Sequence, residues 1–184
     1  MPRHFVSAAF FFILAALLFL LAIASIAHAE DLSAEPHVRP LMAGIDQFVA
    51  EGIKRSPTIR ALTEELDRSD VVVYVRARPF NSPLTKAHLL FMTAAGNRRY
   101  VLVEIACGET WNTQLAMLGH ELRHAVEIAD APWIRSDADL AAHYSRIGTE
   151  TVMAADHESF ETLAAADAGR RVARELATQS SAAR

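Results

Sequence analysis

Residues 110–130 read TWNTQLAMLGHELRHAVEIAD. The run predicts one long helix, stopped before Pro132. At 100° per residue, Leu115, Leu118, Leu122, Ala125, Val126 and Ala129 fall within about a 100° arc, which marks the core face. His120 and His124 project from the other side, with Glu127 on that same side. His120-Glu121-Leu122-Arg123-His124 is an HExxH. Two histidines at i and i+4 share a helix face, so both imidazoles can reach one Zn²⁺ at about 2.0–2.1 Å. A Glu beside the first histidine can then contact a water whose pKa the ion has lowered toward ~7.

Working outward, the chain before this helix divides into short elements. Leu41 to Lys54 carries apolar residues at helical spacing, at Leu41, Ile45, Phe48, Val49 and Ile53. Ser56-Pro57 reads as an N-cap followed by a proline at the first helical position, opening a second helix that ends near Asp70. Val71–Val75 is β-branched and aromatic, so it is a strand. His88–Thr93 and Tyr100–Ile105 read as two more strands, joined by the turn residues Ala95-Gly96-Asn97-Arg98 into an antiparallel hairpin. Beyond the long helix, Ser136 opens a short helix through Ile147, and His157 to about Gln179 reads as a last helix. The order of elements is α+β.

The first thirty residues have a different composition. Phe5 to Ala27 carries no charge, follows the single firm positive charge of Arg3, and runs into Ala27-His28-Ala29. That layout predicts a secretory signal peptide over residues 1–29, cleaved after Ala29. Its apolar stretch is long enough to span a bilayer, so an uncleaved anchor over residues 5–27 is the alternative. Both place the remainder outside the cytoplasm, in the periplasm or secreted. Residues 30–40, polar with Pro36 and Pro40, read as a linker, and residues 41–184 as one domain.

The chain has 184 residues and a formal net charge of −4, which argues against a nucleic-acid partner. One cysteine, Cys107, excludes an intramolecular disulfide and any cysteine-rich metal knuckle, and is expected to be a small buried hydrophobe. Membrane association is expected only through the N-terminal segment, should it stay uncleaved; the oligomeric state is open.

With an antiparallel hairpin ahead of an HExxH helix, the chain resembles the zincin metallopeptidases. The resemblance covers the hairpin, the HExxH helix and the final helix. In zincins an edge strand before the HExxH helix lays the substrate backbone along the cleft, and the hairpin ending at Ile105 occupies that place in the sequence. The resemblance implies a minimal zincin-like domain, with a small antiparallel sheet packed on the active-site helix. It also implies one Zn²⁺ per chain, Glu121 as general base and a peptide or protein substrate.

A catalytic zinc takes three protein ligands and keeps one position open. The metzincin pattern fails, because Ala125-Val126-Glu127 follows the second histidine. Gluzincins instead take a Glu from a downstream helix, often as ExxA, and Glu161-Thr162-Leu163-Ala164 has that form, with 36 residues between His124 and Glu161. Ala165, Ala168, Val172 and Leu176 make one apolar stripe with Glu161 at its N-terminal end, and an inward carboxylate needs a partner or a metal. The small residues Ala164, Ala165, Ala168 and Gly169 would let this helix approach the HExxH helix closely. Glu161 is therefore the expected third ligand. Glu127 is the alternative, or else a charge-balancing neighbour of a ligand histidine; Glu158 and His157 are lesser candidates.

Tyr144, between the motif and Glu161, is a candidate oxyanion stabiliser of the kind zincins recruit there, against a plain packing role. Trp111 and Trp133 read as packing residues, and Arg98-Arg99 as a solvated turn. The rival to a peptidase is a metal-stabilised envelope binding module without turnover, and the third possibility is a chance HExxH.

Overall fold

The computed structural model describes residues 35–82, 85–147, 149–154 and 157–182. Contacts divide the chain into residues 1–36 and 37–184; of the first unit only Glu35 and Pro36 are described. The signal-or-anchor segment therefore lies outside the described residues. Among the described residues no helix is long and apolar enough to cross a membrane.

The second unit is α+β. Strand β1 (Val38–Pro40) leads to helices α1 (Ile45–Arg55) and α2 (Pro57–Asp67), then strands β2 (Val71–Arg78), β3 (Ala87–Ala95) and β4 (Arg98–Ala106). Helices α3 (Trp111–Ala129) and α4 (Asp137–Ile147) follow, then strands β5 (Thr149–Ala154) and β6 (His157–Glu161), and finally helix α5 (Leu163–Ala182). The Ser56 Oγ accepts from the Ile59 N–H at 3.0 Å and Pro57 opens α2, as the Ser-Pro pair predicts.

The sheet is mixed rather than antiparallel. Its order is β1-β2-β4-β3, with β1 and β4 both parallel to β2 and only β3–β4 antiparallel. The cause is topological. Helices α1 and α2 form the crossover that parallel β1–β2 pairing requires. The β3–β4 hairpin then docks with β4 inward, which leaves β3 at the edge. Central β2 is correspondingly apolar on both faces, with Val71, Val72, Val73 and Val75 all fully buried.

The expected linker ends in a strand. Val38–Pro40 pairs with Val73–Val75, the Val73 N–H reaching the His37 carbonyl at 2.8 Å. A three-residue strand that ends in a proline is too short to show a period, which is why it reads as linker. Pro40, with no N–H to give, is tolerated because β1 is an edge strand.

The last helix begins later than expected. Residues 157–161 belong to β6, antiparallel to β5, and α5 starts at Leu163. Its cap is Thr162, whose Oγ1 accepts from the Ala165 N–H at 3.1 Å. The stripe itself holds: Ala165, Ala168, Val172 and Leu176 are buried. It packs on α3, where a Cβ on Gly119 would meet Val172 Cγ2 at 2.5 Å and one on Gly169 would meet the Ala116 carbonyl at 3.3 Å. Glycine at this crossing lets the two backbones approach as closely as they do.

Arg98 and Arg99 are not a solvated turn. Arg98 sits half-buried with its Nη1 against His37 Nε2, and Arg99 is fully buried. Arg99 Nη1 donates to the carbonyls of Ile128 at 2.6 Å and Ala131 at 2.7 Å, which also accept from the Ala131 and Ile134 N–H groups, so the guanidinium adds a second bond to carbonyls at and just past the C-terminal end of α3. Cys107, expected buried, is exposed where the chain leaves β4. Trp111 and Trp133 are 46% and 57% exposed, though their rings touch Phe48 and His143.

Candidate metal centre

Helix α3 is anchored at both ends. Thr110 Oγ1 accepts from the Thr113 N–H at 3.3 Å, and Arg99 holds the carbonyls at the other end. Between these points Leu115, Leu118, Leu122, Ala125 and Val126 are buried in the core, as the arc predicts. That orientation fixes where the motif residues emerge. His124 and Glu121 are buried at 6% and 5% exposure, and His120 is partly open. The two imidazoles stand edge to face with centroids 4.9 Å apart.

The β6–α5 corner brings Glu161 to this face. Its Oε1 lies 3.6 Å from His120 Nε2. One donor atom each from His120, His124 and Glu161 lies within 4.8 Å of the others, and among the described residues no other group of three His, Cys, Asp or Glu is so spaced. Tetrahedral ligands at 2.0–2.1 Å from zinc stand roughly 3.3 Å apart, so the set needs only a modest closure around an ion. Two imidazoles, one carboxylate and an adjacent buried Glu match the chemistry of a catalytic zinc site. Glu161 is thus beside the histidines, but from the last residue of a strand and not from within a helix.

Comparison with protein families, curated sequences and solved structures returns no match for this chain.

Glu127 has other partners. Its Oε2 accepts from His124 Nδ1 at 2.9 Å and its Oε1 from the Thr162 hydroxyl at 2.7 Å. The Tyr144 hydroxyl lies 3.2 Å from both Glu127 Oε2 and the His124 carbonyl, and its ring packs edge-on to His124. Tyr144 is buried, so its hydroxyl proton is directed into this network. The side chains of His157 and Glu158 lie outside the described residues. Asp167 pairs with Arg170 and Arg171 at the surface.

The electrostatics follow the geometry. Burial, and then the neighbouring His124 charge, push the His120 pKa down to about 4, which keeps the ring neutral and its lone pair available. Burial raises Glu121 to about 7, with Glu161 adding to the rise and His124 opposing it. Burial raises Glu161 as well. Burial also acts to raise Glu127, but the bonds from His124, Thr162 and Tyr144 outweigh it and hold the carboxyl below its ordinary value. Burial acts to lower the His124 pKa, but the Glu127 bond and the Glu121, Glu127 and Glu161 charges outweigh it and raise it. As a carboxylate Glu127 only accepts, so His124 Nδ1 carries a proton.

Sequence reasoning missed Thr162. The available clue was a hydroxyl residue directly before an alanine-rich helix, the signature of an N-cap.

Proposed function

We propose that the protein is an exported zinc-dependent metallopeptidase of gluzincin-like type. The carrying observation is the convergence of His120, His124 and Glu161 within 4.8 Å, with the buried carboxyl of Glu121 on the same helix. His120, His124 and Glu161 would hold the ion. When bound, Zn²⁺ supplies Lewis acidity, which acidifies water and polarises a peptide carbonyl.

The rest falls to the chain's own residues. A Glu121 carboxylate oxygen takes the proton from the attacking water and passes it to the leaving amine. Its raised pKa of about 7 suits a group that must both accept and return a proton near neutrality. Edge strand β3, with one side unpaired in the sheet, offers backbone groups to an extended peptide.

The test is zinc content of the purified chain together with hydrolysis of an unstructured protein such as casein. About one zinc per chain, sharply reduced in His120→Ala and Glu161→Ala, with hydrolysis abolished in Glu121→Gln while zinc is retained, supports the reading. Full hydrolysis by a zinc-loaded Glu121→Gln variant overturns the mechanism. Stoichiometric zinc with no turnover leaves the metal-stabilised binding module. No zinc after metal-replete preparation makes the HExxH a chance match.

A further inference from the structure

Glu127 and Thr162 form a continuous hydrogen-bonded path between the two halves of the candidate site. One half, His120 and His124, belongs to α3; the other, Glu161, belongs to the β6–α5 corner, 37 residues beyond His124. Glu127 is on α3, one turn beyond His124, and Thr162 is the residue after Glu161. The carboxylate uses one oxygen on each half, Oε2 for the His124 Nδ1 proton and Oε1 for the Thr162 hydroxyl.

Resting on the zinc reading above, we infer that Thr162 is a positioning residue that, through Glu127, sets the Glu161 ligand against the His124 ring. Capping α5 requires only that Oγ1 accept from the Ala165 N–H. The proton that Oγ1 gives to Glu127 is not needed by the helix. It serves the path to His124, and both groups are buried, so water does not substitute freely for either bond. Fixing the tautomer and orientation of a ligand histidine through its other nitrogen typically changes metal affinity 10–100-fold. Here the same carboxylate also holds the backbone corner that presents the third ligand.

The experiment measures zinc affinity of the full chain by chelator competition, for the unmodified protein, Thr162→Gly, Thr162→Ser and Glu127→Ala. Glycine at an N-cap costs a helix only a few tenths of a kcal/mol, so Thr162→Gly removes the donor while leaving α5 capped. The expected result is a roughly 10–100-fold loss of affinity in Thr162→Gly, near-complete retention in Thr162→Ser, and metal-free proteins that both stay folded, with the Thr162→Gly midpoint lowered only by the lost buried bond. The Thr162→Gly and Glu127→Ala losses should fall short of additive, because both break one path. Nitrogen shifts of His124 in the metal-free protein should report protonation at Nδ1, lost in Glu127→Ala.

Zinc bound by Thr162→Gly as tightly as by the unmodified chain overturns the inference and leaves Thr162 a helix cap. Fully additive losses overturn it equally. If the unmodified chain binds no zinc, the metal site itself fails and the inference fails with it, which the unmodified control shows separately.

Discussion

Arg99 and Asp70 meet through two parallel hydrogen bonds, Nε to Oδ2 at 2.8 Å and Nη2 to Oδ1 at 2.6 Å, with the guanidinium fully buried. The same guanidinium donates to the carbonyls at the end of α3, so one side chain joins the start of β4, the start of β2 and the end of the HExxH helix. Replacing it leaves the Asp70 carboxylate without its guanidinium and takes one bond from each of those carbonyls. Arg99→Met should destabilise the fold by about 3 kcal/mol, discounted for the partial exposure of Asp70. Urea unfolding checks this, and a change below about 1 kcal/mol would show that water takes over the abandoned carbonyls.

Acid should weaken the protein through Glu104. This carboxylate is fully buried on β4 against Arg76 and Arg78 of β2, with His88 Nε2 of β3 at 2.7 Å. Burial alone would raise its pKa; the Arg76 bond and charge, with His88 and Arg78, bring it below the ordinary 4.5. The folded state therefore holds its protons less tightly than the unfolded chain. The stability this contributes is complete above pH ~4.5 and is lost as the pH falls through the lowered folded value. Urea midpoints at pH 7, 5 and 3 should fall most between the last two, and Glu104→Gln should be weaker at pH 7 with a shallower acid limb.

Gly119→Ala places a methyl group 2.5 Å from Val172 Cγ2 at the α3–α5 crossing. The helices must separate or Val172 must leave its rotamer, at a cost of about 1–3 kcal/mol. Val172→Ala in the same chain removes the obstructing methyl, so the double variant should recover part of the loss. A double-mutant cycle on unfolding free energy measures that recovery, and strict additivity would mean the helices had already moved apart.

Tyr144→Phe separates two roles for one hydroxyl. Directed at Glu127 and the His124 carbonyl, the hydroxyl is expected to contribute about 1 kcal/mol of stability. Casein hydrolysis should then fall by no more than a few-fold. A loss of 10² or more in kcat with KM unchanged would instead show the hydroxyl stabilising charge in the transition state.

What the sequence made legible was local. The α3 arc, the β3–β4 hairpin and the Ser56-Pro57 helix start are written in periods and turn residues, and each stands where expected. Strand neighbours are not written there, since β2 pairs with β4 only because β3 docks outside the pair. The β5–β6 hairpin was hidden because Glu161 happens to continue the phase of the Ala165–Leu176 stripe. At the site, His120, Glu121 and His124 follow from spacing on one helix, whereas Glu161, expected on the last helix, ends strand β6 two residues before that helix begins. Arg99 and the Thr162 bond to Glu127 were illegible for a shared reason: each answers a need of a distant backbone or side chain, which no local pattern records.

Strand β1 has three residues, yet it covers Val73–Val75, the second half of the apolar run Val71–Val75. That segment is short, strongly β-forming and uncharged, the composition that stacks between molecules when its backbone edge is free. A chain trimmed to begin at Leu41, the boundary that composition alone suggests, would lose Val38 from its core but keep every residue of the candidate site. It would also present a ready-made template for polymerisation, and Val38–Pro40 is the guard that a shortened version would be missing.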